Sequence, residues 1–222
     1  LLDQVLKLRF FPEYHEYAAS HISHPDSVLD VGCGNGEFLY QMQKSGWKAY
    51  GFDPSPIAAK NAATLLGGSA IIKSGRITSA LFGRKFPLVT MWHVLEHAPN
   101  PHEFIDTIGH LGQPGGKLIL EVPNSESLVM SMFKSHYNWL MAPEHIYYYS
   151  RPSLKYLLES ARFKILSVNF PPRAILNFSL SLKKVFPSQF LFLLSLPFSI
   201  LIAGLAVIQG KTEVIRIVAV RE

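Results

Sequence analysis

The chain has 222 residues, 48% of them hydrophobic, with 21 Lys and Arg against 16 Asp and Glu for a net charge of +5, and a single cysteine. Such an apolar content excludes a disordered chain, and the length suits one α/β domain with additions. The basic residues are scattered rather than striped, which argues against a nucleic-acid partner. One cysteine cannot form an intramolecular disulfide, which fits a reducing, cytoplasmic setting.

The first 24 residues read as a helical cap placed ahead of the first strand. Leu1 to His21 has a mostly helical pattern interrupted by Pro12, and Tyr14 and Tyr17 share a helix face on which they either border a ligand or pack. Asp3, Lys7 and Arg9 interrupt the first apolar residues, so no signal peptide is read there, and an opening Leu1 in place of Met leaves room for an upstream part. Val28-Leu29-Asp30-Val31-Gly32-Cys33-Gly34-Asn35-Gly36-Glu37-Phe38-Leu39 then joins a buried-strand pattern to a three-glycine turn and a helix start. Glycines at alternate positions let the backbone approach a ligand closely, and the helix start presents free N–H groups to it. Cys33 within this loop reads as a small side chain whose backbone faces the ligand.

Ala49 to Pro54 reads as a second short strand ending in Asp53, the place for a carboxylate that accepts both hydroxyls of a ribose. A dinucleotide site needs G-x-G-x-x-G, yet counting from Gly32 gives Gly34 and then Glu37 where the third glycine belongs. Asp30 and Glu37 place negative charge at the turn, which opposes a pyrophosphate and suits a ligand bearing an ammonium and a sulfonium. Pro56 to Leu66 is a helix with prolines at its start, and Ala70 to Lys73 a third strand followed by the loop Ser74-Gly75-Arg76-Ile77.

Leu88 to Met91 reads as the fourth strand, with Pro87 at its beginning and His93 and His97 just past its carboxyl end, where ligands of open α/β sheets bind. Lys117 to Val122 is the fifth strand, entered through a Pro114-Gly115-Gly116 turn. Residues 125–150 follow as a long irregular, acceptor-side loop rich in aromatic and histidine residues: Phe133, His136, Tyr137, Trp139, His145, Tyr147, Tyr148 and Tyr149. Ser153 to Ala161 reads as a helix, Lys164 to Phe170 as a sixth strand and Glu213 to Arg221 as a seventh. Between the last two strands lies an apolar insertion (171–210) in which Phe190 to Ile208 is uncharged for nineteen residues. By length it could span a bilayer, but a single crossing would strand the seventh strand on the far side. The expectation is a helix or helix pair bent near Pro197, either buried or self-associating as a homodimer, or lying in a membrane interface with Lys183, Lys184 and Lys211 beside it.

Several of these blocks, in this order, resemble the class I S-adenosylmethionine-dependent methyltransferases, in particular their small-molecule branch. VLDVGCGNGEFL is similar to the family's first motif, GFDPSP to its ribose motif, MWHVLEHAPNP to its fourth-strand block, LGQPGGKLILEVPN to its fifth-strand block, and PEHIYYYSRPSLKYLLESARF to the segment that follows. The likeness covers roughly Ser27 to Phe163. It implies a Rossmann-like, mostly parallel seven-stranded sheet whose last strand is antiparallel, with helices on both faces, in a single domain over residues 1–222. It also implies S-adenosylmethionine as cofactor, S-adenosylhomocysteine as product, and Asp30, Gly32, Cys33, Gly34, Asp53, Pro54, Gly75, Arg76 and His93 at the cofactor. Arg76 departs from the pattern, since many members carry an acid there for the adenine amine and a guanidinium offers no acceptor.

Methyl transfer is an in-line displacement dominated by positioning. A hydroxyl acceptor additionally gains from a base of near-neutral pKa, for which His145 and His97 are the catalytic candidates and His136 a further histidine on that side. Oxygen transfer to a small, hydrophobic acceptor is the expectation, without a metal. The alternatives are N- or C-transfer to a lipid-linked or metabolite substrate, a non-catalytic binding protein of the same fold, and a nicotinamide enzyme, the last opposed by Glu37.

Overall fold

The structure is a computed structural model and describes residues 13–172 and 175–222. The expected helix over Leu1 to His21 therefore lies partly outside the described residues, and its remainder is helix α1 (13–19). Strand β1 (Ser27–Val31) is buried along its whole length, as its unbroken apolar run around Asp30 demands of a central parallel strand. It pairs in parallel with β2 (Lys48–Asp53) on one side and β4 (Phe86–Trp92) on the other, and β3 (Ile71–Ser74) extends the β2 edge.

Beyond β4 come β5 (Gly112–Pro123), then β7 (Val214–Arg221), then β6 (Phe163–Asn169), giving the order β3-β2-β1-β4-β5-β7-β6. Strand β7 is antiparallel to both β5 and β6. This is the expected mostly parallel seven-stranded sheet with an antiparallel last strand. The order reverses between β1 and β4, and the crevice at such a switch point is where an open α/β sheet binds its ligand.

Side chains alternate across the sheet into two cores. Val28, Leu88, Ile119 and Val218 face one layer with α1, α2 (Glu37–Lys44) and α3 (Pro56–Leu66). Leu29, Val89, Leu118, Leu120 and Ile217 face the other with α4 (Pro101–Leu111) and α6 (Arg151–Ser160). The helix starts follow local chemistry: Ser55 caps α3 ahead of Pro56, Asn100 caps α4 ahead of Pro101, and Ser150 with Ser153 forms a capping box on α6.

Strand β5 is longer than Lys117 to Val122, because Pro114, Gly115 and Gly116 lie within the strand rather than in a turn before it. A Cβ on Gly116 would come within 2.9 Å of the Phe86 carbonyl oxygen, so only glycine lets β5 run past that group. The pairing shifts register between Phe86 and Leu88, and Pro87 sits at this irregularity as the second residue of β4 rather than its first.

The 171–210 insertion is a helix pair, α7 (Asn177–Val185) and α8 (Gln189–Gln209), with Pro197 inside α8. Burial of α8 within the chain is not what the structure has: its buried positions are Ser195, Ser199 and Ala206, while Phe190, Leu194, Phe198 and Leu201 are exposed.

Two charges lie inside apolar strands. Glu121 of β5 faces Arg216 of β7 in register, with Arg216 Nε donating to Glu121 Oε2 at 2.8 Å, and both residues are buried. Removing one partner of such a pair leaves an uncompensated buried charge and costs roughly 3–5 kcal/mol, whereas replacing both by apolar groups is often close to neutral. Arg216→Leu is therefore expected to lower unfolding stability by that amount in urea titrations, and Glu121→Leu combined with Arg216→Leu to recover much of it. A double variant whose loss equals the sum of the losses in Arg216→Leu and Glu121→Leu would show that the two charges are not coupled.

Candidate functional site

The glycine loop is shaped by three left-handed residues, Gly32 (φ 77), Gly34 (φ 54) and Gly36 (φ 91). The Gly32 and Cys33 amides both donate to the Phe52 carbonyl, at 2.7 and 2.9 Å, which pins the loop to the end of β2. There Asp53 accepts from Gly34 N through Oδ2 and from Ser55 N through Oδ1, each at 2.9 Å. A Cβ on Gly32 would fall 2.4 Å from Val94 Cγ2, so the glycine is what lets the loop lie against the turn after β4. A Cβ on Gly34 or Gly75 would meet nothing within 4 Å, which leaves open space over both loops. Helix α2 starts at Gly36 with no side-chain cap, so its first amides are not taken up by a side-chain cap.

Asp30 does not present the charge expected of it. It is 2% exposed, Thr90 Oγ1 donates to it at 2.7 Å, and burial pushes its carboxyl up to about 8, aided by the Asp53 charge. Its side chain is bonded to Thr90 of β4, and Asp53 and Glu37 are the other carboxylates beside the glycine loop. Cys33 is buried and free, and burial pushes its thiol up, which fits packing rather than reactivity. Pro54 is exposed at the end of β2. The Arg76 guanidinium lies at the surface and donates to Glu103 at 3.2 Å, which leaves the backbone of Gly75 to Ile77 for any ligand beside it.

At the end of β4, His93 adopts φ 56, an uncommon conformation for a side-chain-bearing residue. Its Nδ1 lies 3.2 Å from Glu96 Oε1 and its Nε2 3.4 Å from Glu121 Oε1. Burial alone would lower the imidazole pKa, but hydrogen bonds and charge from Glu121 and Glu96 outweigh it and hold it up to about 10. Burial would likewise raise Glu121, yet His93, Arg216 and the Tyr14 hydroxyl together draw it below its ordinary value. The signs define a window. The His93 contribution is complete below its ordinary pKa of 6.5 and is lost as pH rises through about 10. The Glu121 contribution is complete above the ordinary carboxylate value and is lost as pH falls through its lowered one. His93 is thus a bridging cation with both nitrogens engaged, and the parts left for a ligand are its ring face and edge.

Tyr14, expected either to border a ligand or to pack, does the latter: it donates to Glu121 Oε1 at 2.8 Å and stacks on Trp92 at 4.1 Å. Tyr17 lies under the Arg216 guanidinium, 4.3 Å from ring centroid to Cζ.

The 125–150 segment is more ordered than an irregular loop, with α5 (Leu128–Phe133) and a short 3-10 turn over Lys134–His136. Tyr137 and Tyr149 point inward and are buried, Tyr137 donating to Glu213 Oε2 and Tyr149 to the Leu95 carbonyl. The Ile146 and Tyr147 amides both donate to the Glu96 carbonyl, at 2.9 and 3.1 Å, which ties the Pro143-Glu144-His145 stretch to the turn after β4. His145 and His97 are consequently neighbours, with ring centroids 4.9 Å apart, and His97 Nδ1 contacts the Glu144 carbonyl at 2.7 Å. Burial lowers the His145 pKa, with the charges of His97 and His93 acting in the same direction against Glu96. His136, by contrast, is exposed, with Ser135 as its contact at 3.4 Å.

Glu96, His97 and His145 offer ligand atoms all within 4.8 Å of one another. Glu96 is fully buried with Oε2 unpaired, and His145 Nδ1 is unpaired as well. One carboxylate with two imidazoles is a donor set that divalent transition metals accept, where the sequence suggests no metal. Glu96, Glu121 and Arg216 are absent from the expectations drawn from sequence. The available signal was a lone acid in the apolar run of β5 and a lone guanidinium in that of β7.

The chain matches a family model described as a methyltransferase domain over residues 6–168. It is 32% identical over 99 residues to the mitochondrial ubiquinone biosynthesis O-methyltransferase of Schizosaccharomyces pombe, covering 42% of this chain and 36% of that protein. It is 28% identical over 145 residues to the ubiquinone biosynthesis O-methyltransferase of Nitrosococcus oceani, covering 61% of each. The aligned part thus spans less than two thirds of these relatives. Among solved structures, magnesium protoporphyrin IX methyltransferase from Synechocystis PCC 6803 with bound SAH superposes with a TM-score of 0.65 at 17% identity, over 98% of this chain and 84% of that one. With the sheet order, the glycine loop and Asp53 as they stand, the chain belongs to the methyltransferase-domain family, among the class I S-adenosylmethionine-dependent methyltransferases.

Proposed function

We propose that this chain transfers a methyl group from S-adenosylmethionine to an oxygen of a small, hydrophobic acceptor. The observation that carries the choice of oxygen is the His97–His145 pair, held at the carboxyl end of β4 by the Glu96 carbonyl and adjoining the turn that touches Gly32. The names of the curated relatives, O-methyltransferases of ubiquinone biosynthesis, support the same atom. When bound, the cofactor supplies an activated methyl group on a sulfonium.

The residues of this chain bind and orient. Asp53 already holds the Gly34 and Ser55 amides, one on each oxygen, and each oxygen keeps a lone pair for a ribose hydroxyl. Gly32, Cys33 and Gly34 give a close-approach backbone surface to the amino-acid end, with His93 and Pro54 at its margins, and Gly75 and Arg76 offer backbone groups beside the base. His145 remains neutral near physiological pH because its pKa is lowered, so it is ready to take the acceptor proton, with His97 beside it.

Two experiments test the reading. Asp53→Ala removes charge-assisted bonds worth roughly 1.5–3 kcal/mol. It should weaken S-adenosylmethionine binding about 10- to 100-fold by calorimetry. An unchanged affinity would take Asp53 out of the cofactor site. His145→Ala should lower turnover about 10²- to 10⁴-fold with cofactor affinity retained. The wild-type rate should fall on the acid side below pH 6.5, the ordinary histidine value, because protonation of a base with a lowered pKa occurs there. Wild-type turnover in the variant would remove His145 from the mechanism.

A further inference from the structure

The α7–α8 pair is built inside out. Its buried positions are Asn177, Ser179 and Ser181 on α7 and Ser195, Ser199 and Ala206 on α8, all polar or small. The serines satisfy one another: Ser195 Oγ donates to Ser179 Oγ at 2.8 Å, Ser179 and Ser199 share a 2.5 Å bond, and the Ser179 amide donates to Ser199 Oγ. The large apolar side chains face outward instead, with Phe190 73%, Ile200 66% and Ile208 82% exposed. Soluble proteins bury such side chains, whereas helices packed within lipid meet through small residues and hydroxyls and turn their apolar surface out.

The breadth of the exposed surface decides between occupants. At about 100° per residue, the exposed apolar positions of α8 from Phe190 to Ile208 cover an arc of roughly 200°, twice the ~100° stripe that seats one helix against a protein partner. A second copy packed along one line would leave half of that arc in water, and a lipid phase covers all of it. The sequence from Phe170 to Thr212 holds no acidic residue, and Lys183 and Lys211, both exposed, stand near the two ends of α8. Anionic headgroups complement that charge.

Depth follows from topology. Helix α8 has 21 residues and would reach about 31 Å, but α7 has nine and returns only about 14 Å. The chain must come back to the sheet that contains both β6 and β7, so the pair cannot cross a ~30 Å hydrocarbon layer.

We infer that the α7–α8 hairpin docks this domain on the surface of an anionic lipid bilayer, with α8 lying in the interface. The hairpin also holds the acceptor-side segment. The Asn138 amide donates to Ser181 Oγ, Lys184 Nζ donates to the Tyr137 and Asn138 carbonyls, and Phe178 meets Phe133 edge-on. Docking therefore brings residues 125–150 to the bilayer, and, resting on the methyl-transfer reading above, it makes the acceptor an amphipathic molecule taken from that surface.

The test is sedimentation of the full chain with vesicles of phosphatidylcholine alone or mixed with phosphatidylglycerol. The chain should pellet with the mixed vesicles and less with the neutral ones. Leu194→Asn, Phe198→Asn and Leu201→Asn combined should weaken vesicle binding at least about tenfold, because each removes a buried apolar side chain from the lipid contact. Lys183→Glu with Lys211→Glu should erase the preference for phosphatidylglycerol. Calorimetry with S-adenosylmethionine on the same variants should give unchanged affinity, which certifies the fold and keeps the two readings separate. A wild-type chain that binds cofactor yet stays in the supernatant with both vesicles overturns the inference, as does a stable dimer that vesicles fail to capture.

Discussion

The carboxylate of Glu121, on β5, gathers three other parts of the molecule around one buried point. Arg216 reaches it from β7, the Tyr14 hydroxyl from α1, and His93 from the turn after β4. Arg216 continues to Glu13 at 3.0 Å, and its guanidinium lies over Tyr17, so the N-terminal helix is held by charge, hydrogen bond and ring contact together. A carboxylate buried at this depth would be expensive alone. Here its partners are complete, and breaking one of them disturbs elements separated by as much as 107 residues in sequence.

The same cluster fixes the shape of the ligand crevice. The left-handed backbone at His93 is unfavourable for an imidazole-bearing residue, and the two carboxylates that bracket the ring stabilise it there. Val94 is thereby aimed at Gly32, and Glu96 is placed so that its carbonyl receives the two amides after His145. The cofactor loop and the acceptor-side histidines are thus positioned by one turn. A glycine at position 32 and a cation at position 93 are two requirements of the same geometry.

What was legible in the sequence was local. The strands around Asp30, Asp53 and Leu120 follow apolar runs, the helix starts follow Ser-Pro and Asn-Pro caps, and the glycine loop announces itself by spacing. The family's blocks supplied the strand order. What was not legible depended on distant partners. Tyr14 looked available to a ligand because nothing near it in sequence reveals Glu121, 107 residues away. Asp30 looked charged because its type is acidic, while burial, against the Thr90 hydrogen bond and with the Asp53 charge, raises its carboxyl pKa. Gly116 looked like a turn glycine because the close approach that requires it, to Phe86, is made across the sheet.

The apolar insertion shows the limit of composition most clearly. Nineteen uncharged residues are open to reading as a buried helix, a dimer seam or a lipid-facing one, since hydropathy reports what a side chain dislikes and not what covers it. The discriminating residues are the few polar ones. Were α8 a core helix, Ser195 and Ser199 would sit on its solvent side and the leucines within. In the structure the serines are turned inward onto Ser179 and the leucines outward. The hairpin thus stores its polarity inside, an arrangement with little to gain from water and much from lipid. Because Lys184 and Ser181 tie its base to residues 137 and 138, the surroundings chosen by the hairpin become the surroundings of the acceptor-side segment.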